Sequence, residues 1–456
     1  MDLQTDFLVI GGGMAGLVAG TIALEAGVST ILLRKGQSAT AYSSGAIDVI
    51  GYLPEARQPF SSPEEGLIAI SGLYPLHPYS IVGYSDDIAP NAVIDTIVNK
   101  TRVSIEWLRN HLEEVNLPLH GTFDSNMYPI TILGTTKPTC LVQKTMDFGD
   151  LHEREDSVLL FVGIRGYPDF NPAAAAKTYL EDRMAIGEPP HKVVHCMLDI
   201  APFGNSFNIS SIEIAKHLDH EGSIKALGDQ LKEQADQIGT THIAFPPILG
   251  VHNTQTIKSQ LETLTGATIF ELLGFPPSVP GLRLQRAMDE IFTKAGGKLL
   301  VGFEANSFLK SGTKLTQITA SSPRREVNIS AKAFILASGM YIGGGISGDE
   351  KGVKETLFNL MTVTGDYHSA SELLPSRSTH RLAISPTGQP IQSCGLSVDP
   401  QFRPVGEEGI EWAENLFAAG SILAGYNYSV EKSGLGVATT SGFHAAKNAI
   451  EFLIGG

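Results

Sequence analysis

The stretch that most constrains this chain lies at its start, where Phe7-Leu8-Val9-Ile10 runs straight into Gly11-Gly12-Gly13-Met14-Ala15-Gly16. An apolar, β-branched run, a glycine cluster and the helix-forming residues 17–27, closed by Gly27, spell strand, tight turn and helix. In such a turn Gly11 permits the sharp reversal, Gly13 lets a phosphate approach the backbone, and Gly16 lets helix and strand pack closely. The N–H groups and positive dipole end of the helix then face an anion. A second strand, Thr30-Ile31-Leu32-Leu33, follows. The glycines therefore sit inside a strand–helix–strand unit, the context that makes this spacing informative.

At 456 residues the chain is long for one hydrophobic core, and two or three domains are expected. Its 42% hydrophobic and 18% charged residues are the balance of a soluble globular protein. No run approaches the ~20 apolar residues of a membrane span. Asp2, Gln4, Thr5 and Asp6 precede the first strand, which is no secretory pattern, so a cytoplasmic location is expected. A formal net charge of -15 argues against nucleic acid as a partner. Cys140, Cys196 and Cys394 are too few for a four-cysteine iron–sulfur cluster and form no CxxC pair. No metal is expected, and any cluster chemistry must belong to another subunit.

After the second strand, residues 34–46 form a small-residue, hydroxyl-rich loop, placed where the outer parts of a cofactor lie in a doubly wound sheet. One helix is expected over 92–112, and short strands over 128–133 and 139–142. Strands at 157–162, 191–197, 243–245 and 268–273 then alternate with helices at 172–184, 209–237 (one or two) and 254–264. That rhythm predicts a parallel sheet with helices on its faces. An amphipathic helix follows at 281–295, then a strand at 298–303 and an antiparallel pair at 315–320 and 325–329. A buried strand runs into Ala337-Ser338-Gly339, trailed by Gly343-Gly344-Gly345. The C-terminal part carries Asn415-Leu416-Phe417-Ala418-Ala419-Gly420-Ser421, a loop with Gly425, Gly434 and Gly436, and a helix over 437–452.

The glycine turn, the strand ending Ala-Ser-Gly and the Asn-Leu-Phe-Ala-Ala-Gly strand together resemble the flavoprotein fold of the succinate dehydrogenase and glutathione reductase type. Four further stretches are similar, more narrowly, to the B subunits of anaerobic glycerol-3-phosphate dehydrogenases. They are Gly36-Gln37-Ser38-Ala39 with Ser43-Ser44-Gly45, His77-Pro78-Tyr79-Ser80, Pro276-Pro277-Ser278-Val279 with Gly281-Leu282-Arg283-Leu284-Gln285, and residues 415–424. The fold class implied is α/β: a discontinuous Rossmann-like flavin-binding domain (1–52, 276–345 and 395–456), an inserted α/β domain (53–275) and a small cavity-wall segment (346–394). The resemblance implies FMN in this chain, a homologous FAD-containing A subunit and a membrane-associated iron–sulfur C subunit. It implies oxidation of sn-glycerol 3-phosphate to dihydroxyacetone phosphate, with electrons passed towards quinone, by a chain held at the cytoplasmic membrane through its partners.

Flavin contacts are then expected from Gly11, Gly13, Met14, Ala15 and Gly16, from Arg34, Lys35, Ser43, Ser44 and Gly45, from Ala337, Ser338 and Gly339, and from Gly420, Ser421, Gly434, Gly436 and Val437. Oxidising a secondary alcohol needs a hydride acceptor, a base for the hydroxyl proton and a cation for the phosphate. The basic residues in loop-like settings are His77, Arg165, Arg283, His368 and Arg403. Arg283 and Arg403 suit the phosphate, because a guanidinium holds it by paired hydrogen bonds. Dinucleotide folds usually carry an acidic residue about 20 positions after the glycines, to bond the adenosine ribose. Arg34-Lys35 stands here instead, which favours FMN; FAD stays open if a loop residue such as Ser38 holds the ribose. Two other functions fit the same residues: a stand-alone flavin oxidoreductase on another small substrate, and a catalytically silent electron-relay or scaffold subunit.

Overall fold

Phe7–Ile10 is buried along its whole length, and Thr30–Arg34 is buried up to its last residue, as strands covered on both faces require. In the computed structural model of the protein these strands belong to a five-stranded sheet, ordered Lys298–Val301, Thr30–Arg34, Phe7–Ile10, Ala333–Leu336, Leu416–Ala418. Every pairing is parallel, with Phe7 opposite Thr30 and Ala333, and Phe334 opposite Leu416. The three strands that end in glycine motifs are thus neighbours. The structure describes residues 2–84, 90–152, 157–188, 191–204, 206–220, 222–364, 378–406 and 409–455.

The chain forms two compact units, one of residues 1–39, 48–116 and 285–456, the other of 40–47 and 117–284. In the first, Met14–Glu25 and the C-terminal helix Gly434–Gly455 pack together so closely that a Cβ on Gly442 would fall 2.4 Å from the Ala15 carbonyl oxygen. The helices Pro78–Gly83 and Pro90–Glu114 lie against that C-terminal helix, and Pro63–Leu73 lies against Pro90–Glu114. The described residues of 53–116 therefore pack in this unit, whereas the sequence pattern assigned 53–116 to the insert. The helix Pro63–Leu73 was not expected from the sequence; at its start Ser62 accepts from the Glu65 N–H, and the Glu65 carboxylate accepts from the Ser61 N–H and hydroxyl. A four-stranded sheet of Asp2–Gln4, Arg325–Ser330, Lys314–Ser322 and Glu304–Ser311 completes the unit, adding to the expected antiparallel pair.

The second unit is built on a sheet ordered Lys192–Leu198, Val158–Ile164, His242–Phe245, Thr268–Glu271, parallel throughout. Its core is drawn from the central strands and the helices beside them, among them Leu160, Phe161, Tyr179, Leu231, Phe245 and Phe270. Residues 40–47 join it because Ile47 bridges to Leu141, and because Gly45, at φ +76°, presses on Gln143 and Pro280. The stretch 128–133 forms isolated bridges, Ile130 to Thr136 and Thr131 to Leu273, in place of the expected strand. No helix among the described residues is long and apolar enough to cross a membrane.

Candidate functional site

At the carboxyl end of the five-stranded sheet, glycine turns interlock. Gly11 adopts φ +115°, and a Cβ on it would fall 2.1 Å from the Ala337 carbonyl oxygen; a Cβ on Gly16 would fall 1.9 Å from the Gly11 oxygen. Gly11 N–H donates to Leu33 O at 2.9 Å, which closes the turn onto the second strand. The helix then begins at Met14 with Gly13 as an extended N-cap, a residue with no side chain to cover the first amides. Gly420, at φ +82°, sits over Ala15, where a Cβ would come within 2.7 Å of the alanine methyl. Its N–H donates to the Ser441 hydroxyl at 2.9 Å, and Ser441 donates to Val437 O at 2.6 Å. Gly339, at φ +78°, lies beside Ser421, with its Cβ position 3.5 Å from that hydroxyl oxygen. Gly11, Ala15, Gly16, Ala337, Gly339, Gly420, Ser421 and Val437 are thereby brought to one end of one sheet, the place where doubly wound folds bind ligands.

Other expected contacts are committed differently. Gly436 is a packing residue, with its N–H donating to Asp48 O at 2.9 Å and no room for a Cβ beside the Tyr79 hydroxyl; Gly434 packs on Tyr428. Ser43, Ser44 and Gly45 belong to the second unit, where Ser43 donates to Thr40 O at 2.7 Å and accepts from Gly45 N–H at 3.2 Å. Lys35 makes an exposed ion pair with Glu304 at 2.7 Å. Arg34 is held by both oxygens of Asp289, at 2.7 and 2.8 Å, and its stem lies on Gly12, whose Cβ would fall 2.7 Å from the Arg34 Cδ. Gln285 ties this pair to the turn: its amide donates to Gly12 O at 3.1 Å and to Asp289 at 2.8 Å, and it accepts from the Ser38 hydroxyl.

The expected base and phosphate ligands are also occupied. His77 is buried and caps the helix Pro78–Gly83: Nδ1 accepts from Tyr79 N–H at 3.1 Å, and Nε2 faces the Glu431 carboxylate at 3.1 Å. That network assigns the proton to Nε2 and engages the Nδ1 lone pair with the Tyr79 N–H. Arg283, in the second unit, uses every N–H: Nη1 and Nη2 meet Glu271 at 2.6 and 2.9 Å, Nε and Nη2 meet Gly250 O at 2.9 and 2.6 Å, and Nη1 also reaches Gln143 and Thr145. Arg403 holds Asp399 at 2.7 Å and approaches Glu411 at 3.6 Å, and Arg165 holds Asp199 at 2.7 Å. His368 lies outside the described residues. The common cause is composition. With 48 acidic against 33 basic side chains, a loop arginine meets an internal carboxylate more readily than it waits for a ligand.

Residues 6–437 match the FAD binding domain family. Across 98% of this chain and 97% of the relative, 33% of residues are identical to the anaerobic glycerol-3-phosphate dehydrogenase B subunit of Vibrio vulnificus. The B subunit of Vibrio cholerae is 30% identical at the same coverage. This chain belongs to the family of anaerobic glycerol-3-phosphate dehydrogenase B subunits. Its role is that of a flavoprotein dehydrogenase. A solved 3-ketosteroid Δ1-dehydrogenase from Sterolibacterium denitrificans is similar with a TM-score of 0.42 and 10% identity, over 98% of this chain and all 100% of that one.

The site of this B subunit fits a flavin on an observation of its own. The Ser338 hydroxyl oxygen is buried and has no hydrogen-bond partner among the described residues, although it stands in the turn that faces Gly11 and Ser421. A buried hydroxyl without a partner costs stability unless a bound group answers it. Sequence reasoning missed Gln285, Asp289, Ser441 and Glu431. The i, i+4 spacing of Gln285 and Asp289 on a helix was the available signal. Ser441 and Glu431 carried none.

Proposed function

We propose that this chain is the flavin-containing subunit of an anaerobic sn-glycerol-3-phosphate dehydrogenase, acting in a complex with a homologous FAD-containing A subunit and a membrane-associated iron–sulfur C subunit. The observation that carries this reading is likeness over 98% of the chain to proteins of that name. The substrate is oxidised to dihydroxyacetone phosphate, and the electrons leave towards quinone through the partners, which also hold the chain at the cytoplasmic face of the membrane. A bound flavin supplies the hydride acceptor. The chain's own residues do the holding. The turn through Gly11, Gly13 and Gly16 presents the amide end of Met14–Glu25 to the flavin phosphate. Ser338, whose buried hydroxyl has no partner among the described residues, would offer the flavin a hydrogen bond, and Ser441 fixes the backbone of Gly420.

FMN is the proposed flavin, although the matching family is described by FAD. A carboxylate does reach the end of Thr30–Arg34, brought by Asp289, but Arg34 takes both its oxygens and Gln285 adds a third bond. The group that would accept the ribose hydroxyls of FAD is thereby already holding three donors. One observation favours a second reading, an electron relay that serves a catalytic partner: His77, Arg283 and Arg403 are all held by internal carboxylates. Anaerobic addition of sn-glycerol 3-phosphate to the purified chain separates the two. Bleaching of the flavin absorbance by the chain alone supports dehydrogenation here, and bleaching only in the presence of the partners supports the relay.

A further inference from the structure

We propose that Glu431 is a positioning residue for the flavin site: it fixes where the C-terminal helix begins, and through that helix where the Gly420 backbone stands. The inference rests on the reading of the interlocked glycine turns as the place of the flavin. Glu431 ends the short helix Tyr428–Glu431, just before Gly434–Gly455 begins, and its residue is only 2% exposed. A carboxylate so placed is costly unless donors meet it.

The donors come from separate segments, which the carboxylate draws together. One oxygen accepts from the Asn427 N–H at 2.7 Å. The other accepts from the Ser433 hydroxyl at 2.9 Å and from His77 Nε2 at 3.1 Å. The Glu431 carbonyl accepts from the Gly51 and Tyr52 N–H groups at 2.7 and 3.1 Å. His77 is not free to turn away, because its Nδ1 accepts from Tyr79 N–H and its ring stacks on Tyr79 at 5.1 Å and meets Tyr426 edge-on at 5.7 Å. Among the described residues no lysine or arginine pairs with Glu431. Its charge is met by neutral donors and by the positive end of the helix that follows.

The helix carries this anchor to the glycine turns. Ser433, buried beside the carboxylate, accepts from Val437 N–H at 2.9 Å and so opens the helix. Val437 O accepts from the Ser441 hydroxyl at 2.6 Å, and that hydroxyl accepts from Gly420 N–H at 2.9 Å. From Ser433 to Ser441 the helix runs ~12 Å, at ~1.5 Å per residue. A shift at its start therefore reaches the far end, where the Gly442 and Gly420 Cβ positions fall 2.4 Å from the Ala15 oxygen and 2.7 Å from the Ala15 methyl and leave no slack to absorb it. Glu431→Gln keeps the shape but turns one acceptor into a donor, which must then face Asn427 N–H or His77 Nε2–H.

The test is a double-mutant cycle on flavin affinity. The full chain, stripped of flavin, is titrated with FMN and with FAD and followed by flavin fluorescence, as wild type, Glu431→Gln, Ser441→Ala and the two together. Glu431→Gln is expected to weaken flavin binding at least about 10-fold. The double variant is expected to lose little more than the weaker single variant, because both changes act through the Gly420 backbone. A role confined to general stability would instead multiply the two losses, as distant sites without a shared route do. Should Glu431→Gln fail to fold, His77→Asn, which keeps a favoured cap for Pro78–Gly83 and removes the same contact, carries the same comparison. Multiplying losses, or equal affinity in wild type and the folded variant, overturn the positioning role and leave the flavin site intact. A wild-type chain that takes up neither flavin removes the flavin reading and the positioning role with it.

Discussion

Replacing Arg283 by Met leaves the Glu271 carboxylate buried with its ion-pair partner gone. In the native chain the two meet at 2.6 and 2.9 Å, and both side chains are shielded from water, at 2% and 0% exposure. Leu249 N–H, at 2.7 Å, and the Thr145 hydroxyl still donate to Glu271, but two neutral donors do not compensate a buried charge. Removing one partner of such a pair costs ~3–5 kcal/mol, a fifth or more of a typical domain's ~5–15 kcal/mol. Burial pushes the Glu271 carboxyl up, and the Arg283 charge and hydrogen bonds more than reverse it, so it lies below its ordinary 4.5. A carboxyl with a lowered folded pKa stabilises above 4.5 and loses that contribution as pH falls through its folded value. In Arg283→Met the sign reverses, and the deficit should shrink as the pH is lowered towards 4.5 and Glu271 takes up a proton. Hydrogen exchange of peptides covering Thr268–Glu271 is the suitable assay, because Trp107 and Trp412 both lie in the first unit and this strand lies in the second. Arg283→Met with Glu271→Met should recover most of the loss. Unchanged exchange in Arg283→Met, joined to weakened binding of sn-glycerol 3-phosphate, would refute the internal role and return Arg283 to the substrate.

Gly16→Ala should yield protein without flavin, since its methyl would lie 1.9 Å from the Gly11 oxygen; retention of a full flavin complement in the absorbance spectrum would contradict the close packing of the turn. Ser441→Ala strands the buried Gly420 N–H and should cost ~1–3 kcal/mol in a urea titration while lowering flavin affinity; a midpoint equal to wild type would count against that brace. His444 is pushed down to about 4 by burial, from 6.5, so the unfolded chain binds its proton first and stability should fall as pH drops from 6.5 towards 4. The full shift corresponds to ~3 kcal/mol, and His444→Gln should flatten that part of the profile.

How far the sequence could be read follows from the range of the interactions involved. Phe7–Ile10, Ala333–Leu336 and Leu416–Ala418 are legible because a strand buried on both faces must be a continuous apolar run, and Gly11 and Gly16 because close approach is demanded within a few residues. Long-range partners of basic side chains are not legible. Arg34 finds Asp289 across 255 positions and His77 finds Glu431 across 354, and no local pattern encodes either meeting. The helix Pro90–Glu114 was legible from its periodicity, yet an amphipathic face does not say which core it covers, and this one covers the C-terminal helix. Ser43 and Gly45 follow the glycine turn closely in sequence yet belong to the second unit, where Gly45 meets Gln143 and Pro280.

The central claim, a flavin held on the interlocked glycine turns, is tested most directly by denaturing the purified chain, separating the released flavin by chromatography and quantifying it per chain. The account predicts one flavin per chain, eluting as FMN. Stoichiometric FAD would overturn the reading of the Arg34–Asp289 pair while keeping the site, and folded protein that carries no flavin and takes up neither FMN nor FAD when either is supplied would contradict the account itself.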